Sequence, residues 1–332
     1  MTTSEESAGG SVVARSALGA GDRVGRYRIE GEVGAGGMGR VYRAFDETLH
    51  RRVALKVLLA PMELDVDARR EAVARLIREA RAAAALHHEN VVSVFDVGEH
   101  EGLPFIAIEL VDGLPLRALI ATASVEQKLA WLLQVARALE AAHDAGIVHR
   151  DIKPENVIVR AKDRVAKVLD FGIAKSAASF ATNATADAAL ATVTAQGAII
   201  GTPTYMAPEQ LRGEALDGRC DQFAWGVMAY ELLAQKLPWD AKDGLGIVAQ
   251  VLSREAEPLR ADEGPLTEAV ARTVARALSK ARDDRFASMA ALMEALGPIA
   301  TLSGSGSARV QVAAASAEIS TARTERAESA QT

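Results

Sequence analysis

Two short polar segments, each bounded by apolar residues, limit the folds open to this chain. The first covers residues 149–156 and reads His-Arg-Asp-Ile-Lys-Pro-Glu-Asn, and the second is Asp170-Phe171-Gly172. Short apolar runs on both sides of such segments are typical of buried strands that carry polar residues in the loops between them. The fold must therefore hold two polar loops close together if their side chains act as one site.

The residue types in these loops fit transfer of a phosphoryl group from ATP. One carboxylate, which we assign to Asp151, orients the attacking hydroxyl, and Lys153 neutralises the γ-phosphate as it moves. A second carboxylate, Asp170, and the amide oxygen of Asn156 are ligands of the kind that Mg²⁺ prefers. We therefore expect these four residues to be catalytic and Asn156 and Asp170 to hold the metal ion, with ATP and Mg²⁺ as cofactors.

A glycine-rich stretch lies near the N-terminus, at residues 34–39, and Val41 follows it. Glycines let a backbone hairpin approach phosphate groups closely and direct its N–H groups at their oxygens. A dinucleotide-binding fold uses a similar pattern, but there a helix begins at the last glycine. Since a strand-type run follows here, the pattern favours a hairpin over ATP.

With these motifs, the chain resembles the bacterial Hanks-type (eukaryotic-like) serine/threonine protein kinases from about residue 27 to residue 296. The resemblance implies an α+β, bilobal protein kinase fold: a small antiparallel β-sheet lobe with one long helix, and a larger, mainly helical lobe. The expected boundaries are a flexible N-terminal tail (1–24), a kinase domain (25–298) with N-lobe 25–111, C-lobe 112–298 and activation segment 170–209, and a low-complexity C-terminal tail (299–332).

The resemblance also assigns the nucleotide site. Lys56 would contact the α- and β-phosphates as a further catalytic residue, held by Glu79, with Glu71 as a less favoured acid. The ATP-binding residues implied are Gly34, Ala35, Gly36, Gly37, Met38, Gly39, Val41, Ala54, Lys56, Glu79, Ile108, Glu109, Val111 and Ile158.

Three further features of the C-terminal half follow from the same resemblance. Thr202 would belong to the loop that docks the acceptor, Glu209 would form a buried ion pair with Arg285, and Asp221 would brace the catalytic loop. Phosphorylation is expected at Thr192 or Thr194, because a phosphate there suits the guanidinium of Arg150. The alternative is that both threonines are simply polar loop residues.

Local patterns predict where helices and strands lie. Strand-type runs occur at residues 27–29, 41–45, 53–57, 91–95 and 105–111. Apolar residues at helical spacing predict helices at about 65–86, 124–144, 221–234, 244–252, 266–278 and 286–296. Ser124 and Gln127 have the spacing of a capping box at the start of the second helix.

Composition excludes several classes of protein. A net charge of −6 gives no field that attracts nucleic acid, and no apolar run is long enough to span a membrane. Cys220 is the single cysteine, which excludes an internal disulfide, favours a buried thiol and agrees with a cytoplasmic location. We expect no metal besides Mg²⁺, because the histidines lack ligand spacing.

The expected partners are ATP, protein substrates with Ser or Thr acceptors, and the chain itself through autophosphorylation, with a possible homodimer of N-lobes. Two other functions stay open. A pseudokinase that acts as a binding scaffold usually lacks one of Lys56, Asp151 and Asp170, and all three are present. A small-molecule phosphotransferase of similar fold usually lacks the acceptor loop found at residues 201–209.

Overall fold

The computed structural model describes residues 18–36, 39–58, 66–171, 203–260 and 268–297. The chain divides into two units, Met1–Gly297 and Pro298–Thr332, and all of the described residues belong to the first. Within the first unit, a sheet-rich lobe precedes a mainly helical lobe, which confirms the predicted α+β arrangement.

A six-stranded antiparallel sheet forms the smaller lobe, with the spatial order β1-β2-β3-β4-β6-β5. Its strands are β1 (Arg23–Val24), β2 (Tyr27–Gly36), β3 (Gly39–Asp46), β4 (Arg51–Leu58), β5 (Val94–His100) and β6 (Leu103–Glu109). Each strand pairs with the next one along the chain, except that helix α1 (Val66–Ala84) separates β4 from β5 and β6 pairs with both. The sheet therefore consists of hairpins between successive strands from β1 to β4 and from β5 to β6, joined by the pairing of β4 with β6.

The side chains of β4 alternate between the two faces of this sheet. Val53, Leu55 and Val57 are buried in an apolar cluster with residues such as Tyr42 and Phe105. Because successive side chains of a strand point to opposite faces, Ala54 and Lys56 lie on the other face. One face thus forms the core of the lobe, and the other is left to carry polar chemistry.

The larger lobe is built on helices. They are α2 (Val125–Asp144), α3 (Pro208–Leu211), α4 (Arg219–Ala234), α5 (Gly244–Ser253), α6 (Glu268–Ala277) and α7 (Met289–Leu296). The predicted capping box at the start of α2 is confirmed, since Ser124 and Gln127 exchange both bonds. The indole N–H of Trp225 on α4 donates to the Leu132 carbonyl at 2.9 Å, which joins the two central helices.

A second, three-stranded antiparallel sheet lies in this lobe, in the order β7-β8-β9. Its strands are β7 (Gly113–Pro115), β8 (Val157–Arg160) and β9 (Ala166–Val168). The two polar loops of the sequence adjoin it, since residues 149–156 precede β8 and Asp170 follows β9. This small sheet therefore positions both loops.

The fold begins earlier than the predicted tail of residues 1–24 allows. Residues 23 and 24 form β1, Val24 is buried, and the N–H of Gly21 donates to the Ile29 carbonyl at 2.9 Å. These contacts depend on pairing with β2, which the polar composition of the segment does not reveal.

Two predicted strands also differ from the structure. The run at residues 91–95 is a strand only from residue 94, because Val91 makes an isolated bridge to Val168 instead of joining the large sheet. The other, predicted at 105–111, extends from Leu103 to Glu109. No helix in the described part of the chain combines the length and apolar character that a membrane span needs.

Candidate active site

The glycine-rich stretch forms the hairpin between β2 and β3, with Gly36 opposite Gly39. Gly39 has a φ of 148°, and a Cβ at this position would lie 2.2 Å from the Val57 carbonyl oxygen, so only glycine fits. A strand, and not a helix, begins at Gly39, which contradicts the dinucleotide-fold alternative. Gly37 and Met38 lie outside the described residues.

Beside the hairpin, one face of the sheet gathers several of the predicted nucleotide contacts. Val41 lies opposite Lys56, and Ala54 lies opposite Ile108. Residues directly opposite each other on antiparallel strands, or two apart on one strand, share a face. The ammonium of Lys56 therefore lies on the same face as the apolar side chains of Val41, Ala54 and Ile108.

Lys56 and Asp170 meet across the two lobes. The Lys56 Nζ donates to Asp170 Oδ2 at 2.6 Å, and the two side chains are 11% and 22% exposed. Asp170 has a φ of 56°, a left-handed conformation that aspartate tolerates better than most residues. Such backbone strain persists only where the surroundings enforce it, and it is common at functional sites.

The catalytic-loop residues are joined by short hydrogen bonds. Lys153 Nζ donates to Asp151 Oδ2 at 2.8 Å. The Asn156 amide nitrogen donates to the same Oδ2 at 2.9 Å and to the Asp151 carbonyl at 2.7 Å. These bonds hold the Asp151 carboxylate between an ammonium and an amide group, and the side-chain oxygen of Asn156 takes no part in them.

Asn156 and Asp170 are brought close through the backbone, because the N–H of Leu169 donates to the Asn156 carbonyl at 2.9 Å. A carboxylate and an amide oxygen on two such neighbouring loops are a donor set that suits Mg²⁺. The residues present therefore fit the metal ion that the sequence predicts.

Asp221 braces the catalytic loop from the core helix α4, as predicted. Its carboxylate is fully buried and accepts the N–H groups of His149 and Arg150 at 2.8 and 2.7 Å. The His143 ring supplies a third contact, with Nε2 at 2.8 Å. These bonds satisfy a buried charge and orient the loop that carries Asp151.

His149 links this loop to the one that carries Asp170. Its Nε2 lies 2.7 Å from the Leu169 carbonyl oxygen, and its ring packs edge-on against Phe171 with centroids 4.8 Å apart. Gln210, on α3, donates to the Arg150 carbonyl at 3.0 Å. His149 and Gln210 thus position the catalytic loop; sequence reasoning missed both, although His149 begins the polar segment 149–156.

The segment between the lobes carries Glu109 and Val111. The Glu109 carboxylate accepts from Lys167 Nζ on β9 at 2.7 Å, and Lys167 also donates to the Val91 carbonyl at 3.2 Å. Lys167, which sequence reasoning missed, thus ties this segment to the strand that precedes Asp170. Ile158 lies on β8, half-buried and opposite Pro115 and Lys167, while Val111 is half-buried just before β7.

The predicted ion pair between Glu209 and Arg285 is confirmed. The guanidinium donates two parallel bonds to the carboxylate at 2.6 and 2.8 Å, and both side chains are buried. It joins α3 to the turn before α7.

Several predicted site residues cannot be placed. The side chain of Glu79 on α1, and all of Thr192, Thr194 and Thr202, lie outside the described part of the chain. The pairing of Lys56 with Glu79 therefore stays a prediction.

Comparison with known proteins agrees with this geometry. The chain matches the model of the protein kinase domain over residues 27–295. It is 40% identical over 283 residues to the serine/threonine-protein kinase Pkn1 of Myxococcus xanthus, a match that covers 83% of this chain and 38% of Pkn1. It is 35% identical over 268 residues to PknB of Mycolicibacterium smegmatis, with 79% and 41% covered. The chain thus spans less than half the length of these curated relatives.

Among solved structures, the chain is similar to the kinase domain of Mycobacterium tuberculosis PknI. The TM-score is 0.64 at 30% identity, and the match covers 86% of this chain and 100% of that domain. The structural match extends over both lobes, and the sequence matches include both polar loops. The chain therefore belongs to the protein kinase family, within its bacterial Hanks-type serine/threonine branch.

Proposed function

We propose that the chain transfers the γ-phosphate of ATP to Ser and Thr hydroxyls of proteins. The observation that carries the proposal is the 2.6 Å contact between Lys56 and Asp170, because it joins the phosphate-facing side of the sheet to the metal-binding loop. A protein that used the two lobes only as a scaffold has no need to hold these two groups together.

Each residue then has a defined task in the transfer. Lys56 binds the α- and β-phosphates, and Asp151 orients the acceptor hydroxyl and takes its proton. Lys153, already 2.8 Å from Asp151, neutralises charge that develops on the moving phosphoryl group. Asn156 and Asp170 would hold Mg²⁺, which when bound neutralises charge on the β- and γ-phosphates.

The nucleotide would lie under the β2–β3 hairpin. Backbone N–H groups of the glycine-rich stretch approach its phosphates, while Val41, Ala54 and Ile108 contact the base, with Ile158 on its other face. The backbone of Glu109 and Val111 would hydrogen-bond to the base, and the Lys167 contact keeps that segment in place.

The remaining expectations belong to this proposal. They are a kinase domain that ends at residue 298, docking of the acceptor by the loop that contains Thr202, autophosphorylation at Thr192 or Thr194, pairing of two N-lobes, and a cytoplasmic location. The modification is tested by mass spectrometry after incubation with Mg·ATP, beside an Asp151→Asn variant. Absence of phosphate from residues 176–201 of the wild type would contradict it.

The activity is tested with labelled ATP, with and without Mg²⁺, on a generic basic protein and on the chain itself. Asp151→Ala should lower turnover by about 10²- to 10⁴-fold, because it removes the group that handles the hydroxyl proton. Asp163→Ala is the matched control, since this carboxylate is 39% exposed and, among the described residues, pairs with Arg160 and accepts the N–H of Val165 at 3.3 Å. Transfer by the wild type that equals transfer by Asp151→Ala would refute the assignment.

A further inference from the structure

Four side chains form a hydrogen-bonded group beside the catalytic loop, here called the Arg117 cluster: Arg117, Glu155, Tyr205 and Glu231. The guanidinium of Arg117 donates to Glu155 Oε1 at 2.7 Å, to the Tyr205 hydroxyl at 2.6 Å, and to Glu231. The Tyr205 hydroxyl donates to the other oxygen of Glu231. Each of the three guanidinium nitrogens of Arg117 therefore donates one hydrogen bond within the cluster.

The cluster lies where an acceptor must approach. Glu155 belongs to the turn Pro154–Asn156, between Lys153 and the predicted metal ligand Asn156. Tyr205 ends the turn Pro203–Tyr205, which lies within the predicted acceptor loop at residues 201–209. The bond from Gln210 to the Arg150 carbonyl fastens this segment to the catalytic loop.

Burial and charge define what such a group can bind. The side chain of Glu231 is 9% exposed, whereas those of Arg117 and Glu155 are 37% and 47% exposed, so the group opens to solvent on one side. Burial, and then the bond to Glu231, raise the pKa of Tyr205, which stays neutral. Without Arg117, two carboxylates and a phenol would surround an open position that requires a cation.

We propose that Arg117 is a specificity-determining residue: it occupies, from within the chain, a guanidinium-binding position that a basic residue of the acceptor could otherwise take. The wild type then has no need for an arginine near the acceptor Ser or Thr, and loss of Arg117 creates that preference. The inference rests on the proposed function, because it requires transfer to a protein acceptor.

A purely structural role for Arg117 makes a different prediction. If Arg117 only braced the turn that contains Tyr205, its removal would lower activity on every acceptor alike. If Arg117 instead occupies a binding position, its removal changes the ratio of kcat/KM between acceptors that differ by one arginine. That ratio distinguishes the two roles even if the variant is less stable.

The test uses a set of peptides with one Thr acceptor, in which a single arginine is moved through the positions on either side of the Thr. A parent peptide has glutamine at each of these positions. The ratio of kcat/KM for each arginine peptide to that for the parent is measured for the wild type, for Arg117→Met and for Arg117→Met/Glu231→Gln. Arg254→Met, which removes an exposed guanidinium paired with Asp240, is the control.

We expect every ratio of the wild type and of the control to stay within about 3-fold of one. Arg117→Met should raise the ratio at one arginine position by about 10- to 150-fold, the value of one hydrogen bond to a charged group. The second substitution, Glu231→Gln, should remove most of this gain because it removes a carboxylate from the vacated position.

Two results would overturn the inference while leaving the proposed function intact. One is a wild type that already favours arginine 10-fold or more at one position, a measurement that needs no variant to fold. The other is a folded Arg117→Met protein that transfers phosphate with unchanged ratios. Absence of transfer by the wild type to any peptide, to a generic basic protein or to itself contradicts the proposed function and this inference with it.

Discussion

Loss of the Arg285 guanidinium should destabilise the larger lobe strongly, because it leaves a buried carboxylate without its partner. The side chains of Arg285 and Glu209 are 0% and 3% exposed and share two hydrogen bonds of 2.6 and 2.8 Å. Arg285 also donates to three carbonyl oxygens, those of Ser279, Arg219 and Lys280. Arg285→Met keeps much of the side-chain volume but removes all of these donors.

The magnitude follows from the burial of the pair. Removal of one partner from a buried ion pair costs about 3–5 kcal/mol, whereas an exposed pair contributes about 0–1 kcal/mol. In a domain of this size, 1 kcal/mol changes Tm by about 2–4 °C, so Arg285→Met should lower Tm by about 6–20 °C. The matched control Arg254→Met breaks a pair whose side chains are 46% and 80% exposed, and it should lower Tm by less than about 4 °C.

Thermal and urea unfolding, followed by far-UV circular dichroism and by the fluorescence of buried Trp225 and Trp239, measure this effect. Glu209→Met/Arg285→Met should be more stable than Arg285→Met, because it removes the unpaired charge as well. A Tm of Arg285→Met within about 3 °C of the wild type would refute the reasoning. A double variant less stable than Arg285→Met would show that the unpaired carboxylate is not the main cost.

Three further predictions concern buried charges. Burial lowers the pKa of Lys280 to about 8 from 10.5, so its charged form destabilises the fold below pH 8 and this penalty disappears as pH rises towards 10.5. Lys280→Met should therefore stabilise the protein by about 1–3 kcal/mol at pH 7 and by less at pH 10, as measured by urea unfolding. The 4.4 Å contact of the Lys280 Nζ with the Trp239 ring favours the charged amine, so it opposes the pKa shift and limits this gain in stability. Asp221→Asn replaces one acceptor oxygen with a donor, so kcat should fall about 10- to 150-fold while nucleotide Kd changes little. Lys167→Met leaves the Glu109 carboxylate without its ammonium partner and should raise the Kd for ATP about 3- to 30-fold by calorimetry.

Each of these results can fail in a specific way. If Lys280→Met raises the free energy of unfolding by the same amount at pH 7 and at pH 10, the charge of the Lys280 amine is not the source of the gain. Asp217→Asn, at a carboxylate that is 45% exposed, should keep wild-type turnover. An equal loss of turnover in Asp217→Asn and Asp221→Asn would contradict the role of Asp221 in orienting the catalytic loop. Unchanged nucleotide affinity in Lys167→Met would mean that Glu109 holds its position without the ammonium.

Much of this structure is encoded in local patterns. The capping box at Ser124 and the alternation of Val53, Leu55 and Val57 depend only on near neighbours in the chain, so the start of α2 and the core face of β4 are predictable. The fixed spacing of Asp151, Lys153 and Asn156 likewise indicates their chemistry before any contact is known.

The tertiary structure decided the contacts between distant residues. Arg117 is 114 positions from Glu231 and 88 from Tyr205, and nothing in the local sequence around Arg117 indicates either partner. The same holds for Lys167 with Glu109, 58 positions apart, and for β1, which is a strand only because β2 pairs with it. A local pattern determines which face a residue occupies, whereas tertiary packing, within a lobe or between the two lobes, determines which other residue it meets there.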